Sequence, residues 1–309
     1  MRTRRIWIII LLGVLVYVLM SIYASSDDLT SAIGDFRLCF LPALLGLTTA
    51  NHLLRFIKWD FLLRRVGVRL DIKINMFVYF SGLCMTVTPG KSGEIWKGWL
   101  IKEVNGDEIS KTVPVVIVER VTDVLGLVLL SLLGLLYYQQ SIYFILAVST
   151  VLAGFFVCIR SQKASQLIIS ILERRASKHA ASIRTMHQSF EAAMDPKGLA
   201  AMTLLAALGW FLECLGMYLV IQGFGEFISI PLAAFIFSFS SLAGGLSMLP
   251  GGLGVAEAGI SGFLKLFDFT SALAVGTAII VRLGTLWYSV ILGILIHLIF
   301  RRSILGNPK

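Results

Sequence analysis

Residues 81–96 read SGLCMTVTPGKSGEIW, and residues 241–257 read SLAGGLSMLPGGLGVAE. Each sets Pro-Gly in the middle of an apolar stretch: Pro89-Gly90 within 74–103, and Pro250-Gly251-Gly252 within 230–267. Proline ends an incoming helix, and glycine lets the backbone turn tightly. Each stretch therefore reads as a helix that breaks and returns, with Pro89, Gly90 and Pro250 as hinges. Backbone that leaves the helix at membrane depth survives only inside protein or beside a wet cavity. Two readings stay open for the breaks: chain reversal alone, or a binding site made of half-helix N-termini, which suit phosphate or carboxylate. Lys91 adds a full charge beside the first break, and Ser92 is placed to cap its returning half-helix. The spacing GxxxxGK[ST] is absent, which argues against nucleotide binding.

The rest of the 309-residue chain supports a membrane setting. Hydrophobic residues make up 57% and charged residues 15%, well under the roughly 25% charged content of soluble domains, and the mean hydropathy is +0.85. A helical crossing takes about 20 apolar residues, and six runs qualify: 6–24, 36–58, 113–138, 142–159, 198–222 and 272–300. They lack the alternation of a barrel strand. The run 6–24 follows Arg2, Arg4 and Arg5 but leads to no A-x-A-like site, so it reads as a retained first helix rather than a signal peptide. The expected fold is all-α: six transmembrane helices plus two re-entrant Pro-Gly hairpins.

Lysine and arginine gather in the N-terminal tail, in 64–73, in the long segment 160–197 and in the C-terminal tail. The other loops are acidic or nearly neutral. The positive-inside rule then puts both termini in the cytoplasm of a bacterial plasma membrane. The first broken segment starts and ends inside, and the second starts and ends outside. Each half reads helix, helix, hairpin, arginine-bearing helix. Pro89 precedes Arg120 by 31 positions and Pro250 precedes Arg282 by 32. The halves, 1–140 and 141–309, are expected to be inverted-topology repeats, as in transporters. The segment 161–196 either lies on the lipid surface as an amphipathic helix or is a solvated linker. The formal net charge of +9 suits loops that face anionic lipid rather than nucleic acid. The four cysteines are scattered singly and support neither disulfides nor a metal site.

Charges inside the apolar runs carry the chemistry: Glu94, Lys97, Glu119, Arg120, Asp123, Glu213, Glu257 and Arg282. At the bilayer centre each costs about 2.5 kcal/mol or more, so each should be paired or face water. Glu119 and Asp123 can both meet Arg120 along one helix, and Glu257 with Arg282 can form the equivalent pair. These groups either lock the hairpins to their neighbours or, for the two arginines, grip a phosphate in two-point geometry. On the second helix, Arg55 and Lys58 read as snorkelling to the inner surface, and His52 as a proton site or a helix–helix hydrogen bond. Trp59, Trp96 and Trp99 read as packing or interface residues. No nucleophile–base set stands out, so no enzyme activity and no cofactor are expected.

The stretches TPGKSGEIWKGWLIKE, VIVERVTDVLGL and SMLPGGLGVAEAGI, with LLRFIKWDFLLRR at the end of the second helix, resemble the membrane region of lysylphosphatidylglycerol synthases, a flippase-like family. In complete synthases that region moves aminoacylated phosphatidylglycerol between leaflets, and a separate soluble domain makes the lipid; with the sequence ending at Lys309 soon after the last helix, the synthase domain and lysyl transfer are not expected here. The resemblance implies movement of an anionic phospholipid or lipid-linked envelope precursor. Lys91, Ser92, Glu94, Arg120, Gly251, Gly252, Glu257 and Arg282 would contact the substrate, with Glu119, Asp123 and His52 in support. A transporter of a small water-soluble anion, and a non-catalytic membrane subunit beside an envelope-synthesis enzyme, are the alternative readings. Homo-oligomerisation is compatible with each.

Overall fold

A computed structural model describes residues 18, 20–22, 26–88, 93–136 and 180–306. The regular structure among these residues is all helical, with no strand. We number the helices α1 (Ser26–Asp35), α2 (Phe40–Arg65), α3 (Ile72–Gly82), α4 (Trp96–Asn105), α5 (Ile109–Leu136), α6 (Ala180–Ala193), α7 (Pro196–Gly223), α8 (Ile230–Leu246), α9 (Val255–Leu266), α10 (Ser271–Arg282) and α11 (Tyr288–Leu305). A π-helical turn, Leu283–Trp287, joins α10 to α11.

Three of the described helical stretches are long and apolar enough to cross a membrane: Phe40–Arg65, Lys197–Gly223 and Ser271–Leu305. They match the expected crossings 36–58, 198–222 and 272–300, though α2 starts four residues later and runs seven further. The expected crossing 113–138 corresponds to the 28-residue α5, whose apolar character is interrupted by Glu119, Arg120 and Asp123. Of the expected crossing 6–24 only residues 18 and 20–22 are described, and the expected crossing 142–159 lies outside the described residues, as does all of 137–179.

Both broken segments fold as helix, break, helix. In the second, a side chain grown on Gly244 would strike Ala256, and one grown on Gly259 would strike Ser240, so α8 and α9 lie side by side and antiparallel. Gly251, Gly252 and Gly254 all carry positive φ, at 61°, 67° and 86°, a backbone that β-carbon-bearing residues adopt only at a cost. In the first, Gly82 at the end of α3 faces the Lys97 side chain at the start of α4. Thr88 Oγ1 donates to the Met85 carbonyl at 2.7 Å and accepts from the Gly93 amide at 2.8 Å. Pro89, Gly90, Lys91 and Ser92 lie outside the described residues, and α4 begins beyond them at Trp96.

Packing links the two halves crosswise. Helix α2 packs along α7, and α5 along α7 and α8. Gly126 of α5 is so close to α7 that a β-carbon there would sit 2.8 Å from the Ala207 nitrogen. The first broken segment rests on α11, where Gly293 meets the backbone of Phe80 and Cys84. The second rests on α5, where Ser131 and Ser238 hydroxyls are 2.9 Å apart. The breaks themselves touch: the β-carbon position of Gly251 is 3.4 Å from a Val87 methyl.

The two ends of the bundle differ. At one end Arg65 meets Asp195 at 3.4 Å, and Val66, Leu70, Val104, Met194, Ile304 and Leu305 share one hydrophobic cluster. At the other the Arg37 amide donates to the Gly223 carbonyl at 3.0 Å, and Phe36, Phe224, Ile228, Phe267 and Phe269 share a second cluster. The limbs of the first hairpin thus open at the basic end, and those of the second at the other. Helix α6, from the segment read as surface helix or linker, packs against α5 and α2; burial of Ser189 and Ala193 gives it a protein-facing side.

Candidate functional site: a charged cavity where the two breaks meet

A cavity of about 310 Å³ lies between the breaks, lined from the first half by His52, Arg55, Tyr79, Glu94, Lys97, Glu119, Arg120 and Asp123, and from the second by Trp210, Glu213, Gly251, Gly252, Arg282, Thr285 and Ser289. Most polar residues the sequence singled out therefore face one space.

Its floor is an ion network from α2, α4, α5 and the end of the first break. Asp123 is the hub. Its Oδ2 takes Arg55 Nη2 at 2.7 Å and Arg120 Nη1 at 3.0 Å, and its Oδ1 takes Lys58 Nζ at 2.5 Å. Lys58 Nζ also donates to Thr122 Oγ1 at 3.2 Å and to the Glu119 carbonyl at 3.3 Å. Glu119 takes Lys97 Nζ at 2.7 Å and Arg120 Nη2 at 3.2 Å. Glu94 reaches Arg120 Nη2 at 2.9 Å and Lys97 Nζ at 3.8 Å. Lys97 also sits 4.1 Å from the centre of the Trp59 ring, a cation–π contact. Four cations thus meet three carboxylates. Helical spacing explains the convergence: Arg55 and Lys58 lie three apart on α2, and Glu119 and Asp123 four apart on α5, so each helix offers one stripe to the other.

Snorkelling, expected for Arg55 and Lys58, is corrected here. Lys58 is fully buried and Arg55 is 8% exposed, because carboxylates on α5 offer partners inside the bundle. Arg120, whose side chain is 24% exposed, is the most accessible cation of this cluster. Trp59 is packed, with its indole N–H donating to Asn75 Oδ1 at 2.9 Å, while Trp99 is exposed.

The second break is more closed. Arg282 Nε donates to Glu257 Oε1 at 2.8 Å, and its Nη2 to the Gly251 carbonyl at 2.5 Å. The other oxygen of Glu257 accepts from the Gly254 amide at 2.8 Å. The anion position expected at this half-helix N-terminus is thus filled by the protein's own carboxylate, three residues into α9. Gly251 and Gly252 line the cavity through backbone. Pro250 opens a single 3-10 turn. Of the residues expected around the first break, Lys91, Ser92, Pro89 and Gly90 lie outside the described residues.

Two side-chain pairings and one backbone turn had no partner or position assigned from the sequence. Asn51 Nδ2 donates to Glu213 Oε1 at 2.5 Å, joining α2 to α7. His52 Nε2 meets Ser289 Oγ at 2.6 Å, the helix–helix hydrogen bond that was one of its two readings. A π-helical turn follows Arg282 directly; such turns concentrate at functional sites, and this one puts Thr285 and Leu286 on the cavity wall. At the mouth, Leu246, Met248 and Leu249 of the second break line the cavity and are also exposed, an apolar lip on a charged space. No cluster of three metal-ligating side chains occurs among the described residues.

Comparison with known proteins agrees with a membrane setting. The chain is 28% identical over 259 residues to a UPF0104 membrane protein of Methanothermobacter thermautotrophicus, covering 77% of each chain. It is 26% identical over 242 residues to a UPF0104 membrane protein of Methanocaldococcus jannaschii, covering 72% of this chain and 97% of the relative. A third such protein, from Pyrococcus horikoshii, is 21% identical over 331 residues, covering 97% of this chain and 99% of its own. All three organisms are archaea, whereas the sequence reading expected a bacterial membrane. The family model of the lysylphosphatidylglycerol synthase TM region matches residues 10–293: the chain belongs to that family of membrane proteins.

Proposed function

We propose that this protein moves a phospholipid or lipid-linked precursor with an anionic head group between the leaflets of a plasma membrane, with both termini cytoplasmic. The observation that carries the reading is one cavity that joins buried charge to an exposed apolar lip. At about 310 Å³ it sits at the small end of ligand pockets. A head group fits there, while acyl chains pass over Leu246, Met248 and Leu249 into lipid. The first-half network has one cation more than it has carboxylates, and Arg120 is the one an entering phosphate reaches. A guanidinium can exchange one oxyanion for another without losing its two-point geometry.

The matched pairs Glu94–Arg120 and Glu257–Arg282 support two related halves, and the opposite opening of the two hairpins supports an inverted relation between them. The exposed lip favours a lipid over a small water-soluble anion, which needs no lateral opening. Transport in this reading breaks no covalent bond.

The test is reconstitution in phosphatidylcholine vesicles with a fluorescent phosphatidate, following accessibility of the label to a membrane-impermeant quencher. The wild-type protein should accelerate exchange between leaflets. Arg120→Ala, checked for folding by its elution and unfolding temperature in detergent, should lose at least about tenfold, the worth of one charge-assisted contact. Undiminished exchange by folded Arg120→Ala and Arg282→Ala proteins would reject the reading.

A further inference from the structure

Glu213 lines the cavity from α7 and is 6% exposed, and the transport reading gives it no task. Asn51 Nδ2 donates to Glu213 Oε1 at 2.5 Å. Asn51 is fully buried, and its Oδ1 has no hydrogen-bond partner among the described residues. That oxygen rests over Gly209, one turn before Glu213, where a β-carbon would sit 2.5 Å from it. An ionised carboxyl only accepts, whereas a protonated one also donates. As placed, the amide serves the ionised form through Nδ2. Turned over about its terminal bond, it serves the protonated form through Oδ1, and the glycine leaves space for the turn. Asn51 can therefore hold Glu213 in either state of charge.

The charge count ties one of those states to an anion. The first-half network sets four cations against three carboxylates, and the Glu257–Arg282 pair is neutral by itself. Glu213 brings a fourth carboxylate to the same space. With Glu213 ionised, the described charges around the cavity are even, and an entering phosphate leaves a net negative charge at membrane depth, which is costly. With Glu213 protonated, the network keeps its surplus cation and the phosphate cancels it. Titratable groups also line this space from the elements packed on α7: His52 and Arg55 on α2, Glu119, Arg120 and Asp123 on α5, and Arg282 on α10. Helix α8 carries none, and Cys214, next to Glu213 on α7, points to the Ala234 carbonyl. A proton on Glu119 or Asp123 would weaken its ion pairs with lysine and arginine. A second proton on His52 would set a new cation three residues from Arg55 on one helix.

We propose that Glu213 is a proton site, and that each anionic head group crosses together with one proton. The O–H bond forms at Glu213 with a proton from water on the face to which the cavity is open. It breaks to water on the opposite face, and no other covalent bond changes. The inference rests on the transport reading and adds its driving force, because lipid and proton then strengthen each other's binding equally.

Full-length protein is reconstituted in phosphatidylcholine vesicles in sodium-free buffer, with valinomycin and equal potassium on both sides to hold the voltage at zero. The probe is fluorescent phosphatidylglycerol, a phosphodiester whose single charge is fixed near neutral pH, and protein-free vesicles give the background. Under a gradient of one pH unit, wild-type protein should gather the probe about tenfold in the leaflet facing the higher pH, the value of one proton per lipid. Fluorescent phosphatidylcholine, which brings its own cation, should not respond. Glu213→Gln, checked for folding by its elution and unfolding temperature, resembles the protonated form. It should still exchange the probe at equal pH and should lose the gradient response, whereas Glu213→Asp, which can titrate, should keep the response. Wild-type exchange with no gradient response overturns the proposal. So does a response undiminished in Glu213→Gln, a response lost in Glu213→Asp, or one lost in His52→Gln and kept in Glu213→Gln. Loss of all exchange in folded Glu213→Gln protein also overturns it, since the residue would then be needed ionised. No probe exchange by wild-type protein at any pH instead counts against the transport reading beneath it.

Discussion

Arg120 and Glu94 stand 2.9 Å apart in the first half of the molecule, as Arg282 and Glu257 stand 2.8 Å apart in the second. In both halves the carboxylate lies just after the break, and the guanidinium follows on the next long helix. The two pairs differ in their surroundings. Glu257 is completely buried and also holds the Gly254 amide, so it fastens the arginine and the half-helix together. Glu94 shares Arg120 with Glu119 and Asp123. The second pair is a closed clasp, and the first is one option among several for its arginine.

The clasp should be the costlier to open. Removing one partner of a buried ion pair leaves the other charge uncompensated, at about 3–5 kcal/mol. Glu257→Gln should show a loss of that size by unfolding in detergent, with Arg282→Gln similar. The double variant should lose much less than the two added together, because the stranded charge is gone. Additive losses would mean that the pair contributes nothing as a pair.

Glu94→Gln should be milder, since Arg120 keeps two carboxylates and Lys97 keeps Glu119 at 2.7 Å. The same change frees Arg120 for a lipid phosphate. Retention of phosphatidate by purified Glu94→Gln protein should rise about threefold to tenfold over wild type, the scale of a modest change in one charge-assisted contact. A fall in retention like that of Arg120→Ala would place Glu94 in a supporting role instead.

Asp123 and Lys58 offer a contrast within one contact of 2.5 Å. Losing Asp123 takes from Lys58 its carboxylate partner and leaves Arg55 with Glu119 alone, at 3.9 Å, whereas losing Lys58 leaves Asp123 with two cations. Asp123→Asn should therefore unfold at least about 3 kcal/mol more easily. Lys58→Met, close in volume and in a site with no exposure, should cost about half of that or less. Unfolding midpoints in urea or heat decide the order, and equal losses would remove Asp123 from its place as hub.

How far these features could be read in advance depends on how local they are. Pro-Gly inside an apolar run is a local signal, and both breaks follow from it. The arginines 31 and 32 positions beyond the prolines were also legible, as were the Glu257–Arg282 pair and the placing of the 65–70 turn beside the end of the last helix. Glu94 as a third partner of Arg120 was not, because the neighbours at helical spacing, Glu119 and Asp123, already supplied the contacts that the structure also shows. Arg55 and Lys58 were misjudged for a related reason. Near a helix end a long cation reaches water unless a carboxylate on another helix is closer, and α5 supplies one only after folding. The capping of Gly254 by Glu257 had a visible cue, an acid at the third helical position, obscured by the expectation of an open anion site. The His52–Ser289 bond joins residues 237 positions apart, and no periodicity connects them.

Arrangement of the ends makes a final prediction about sidedness. The first hairpin is bounded by the turn after Arg65 and by the loop at Asn105–Gly106, where Asn105 donates to Asp107. The second is bounded by Gly225 and Asp268, both with positive φ. Arg64, Arg65, Arg301 and Arg302 share the end of the first hairpin's limbs, and the positive-inside rule assigns that end to the cytoplasm. In a variant with Cys39, an exposed thiol, replaced by serine, a cysteine at Asp107 should react with an impermeant maleimide only in inside-out vesicles. A cysteine at Glu226 should react only in right-side-out vesicles. With Cys158 also replaced by serine, the two remaining native thiols supply the control, since Cys214 is buried and Cys84 half-buried. Labelling of both new cysteines from one side would mean that the breaks enter from the same face, and two hairpins entering from one face cannot present their arginines to a head group arriving from opposite leaflets.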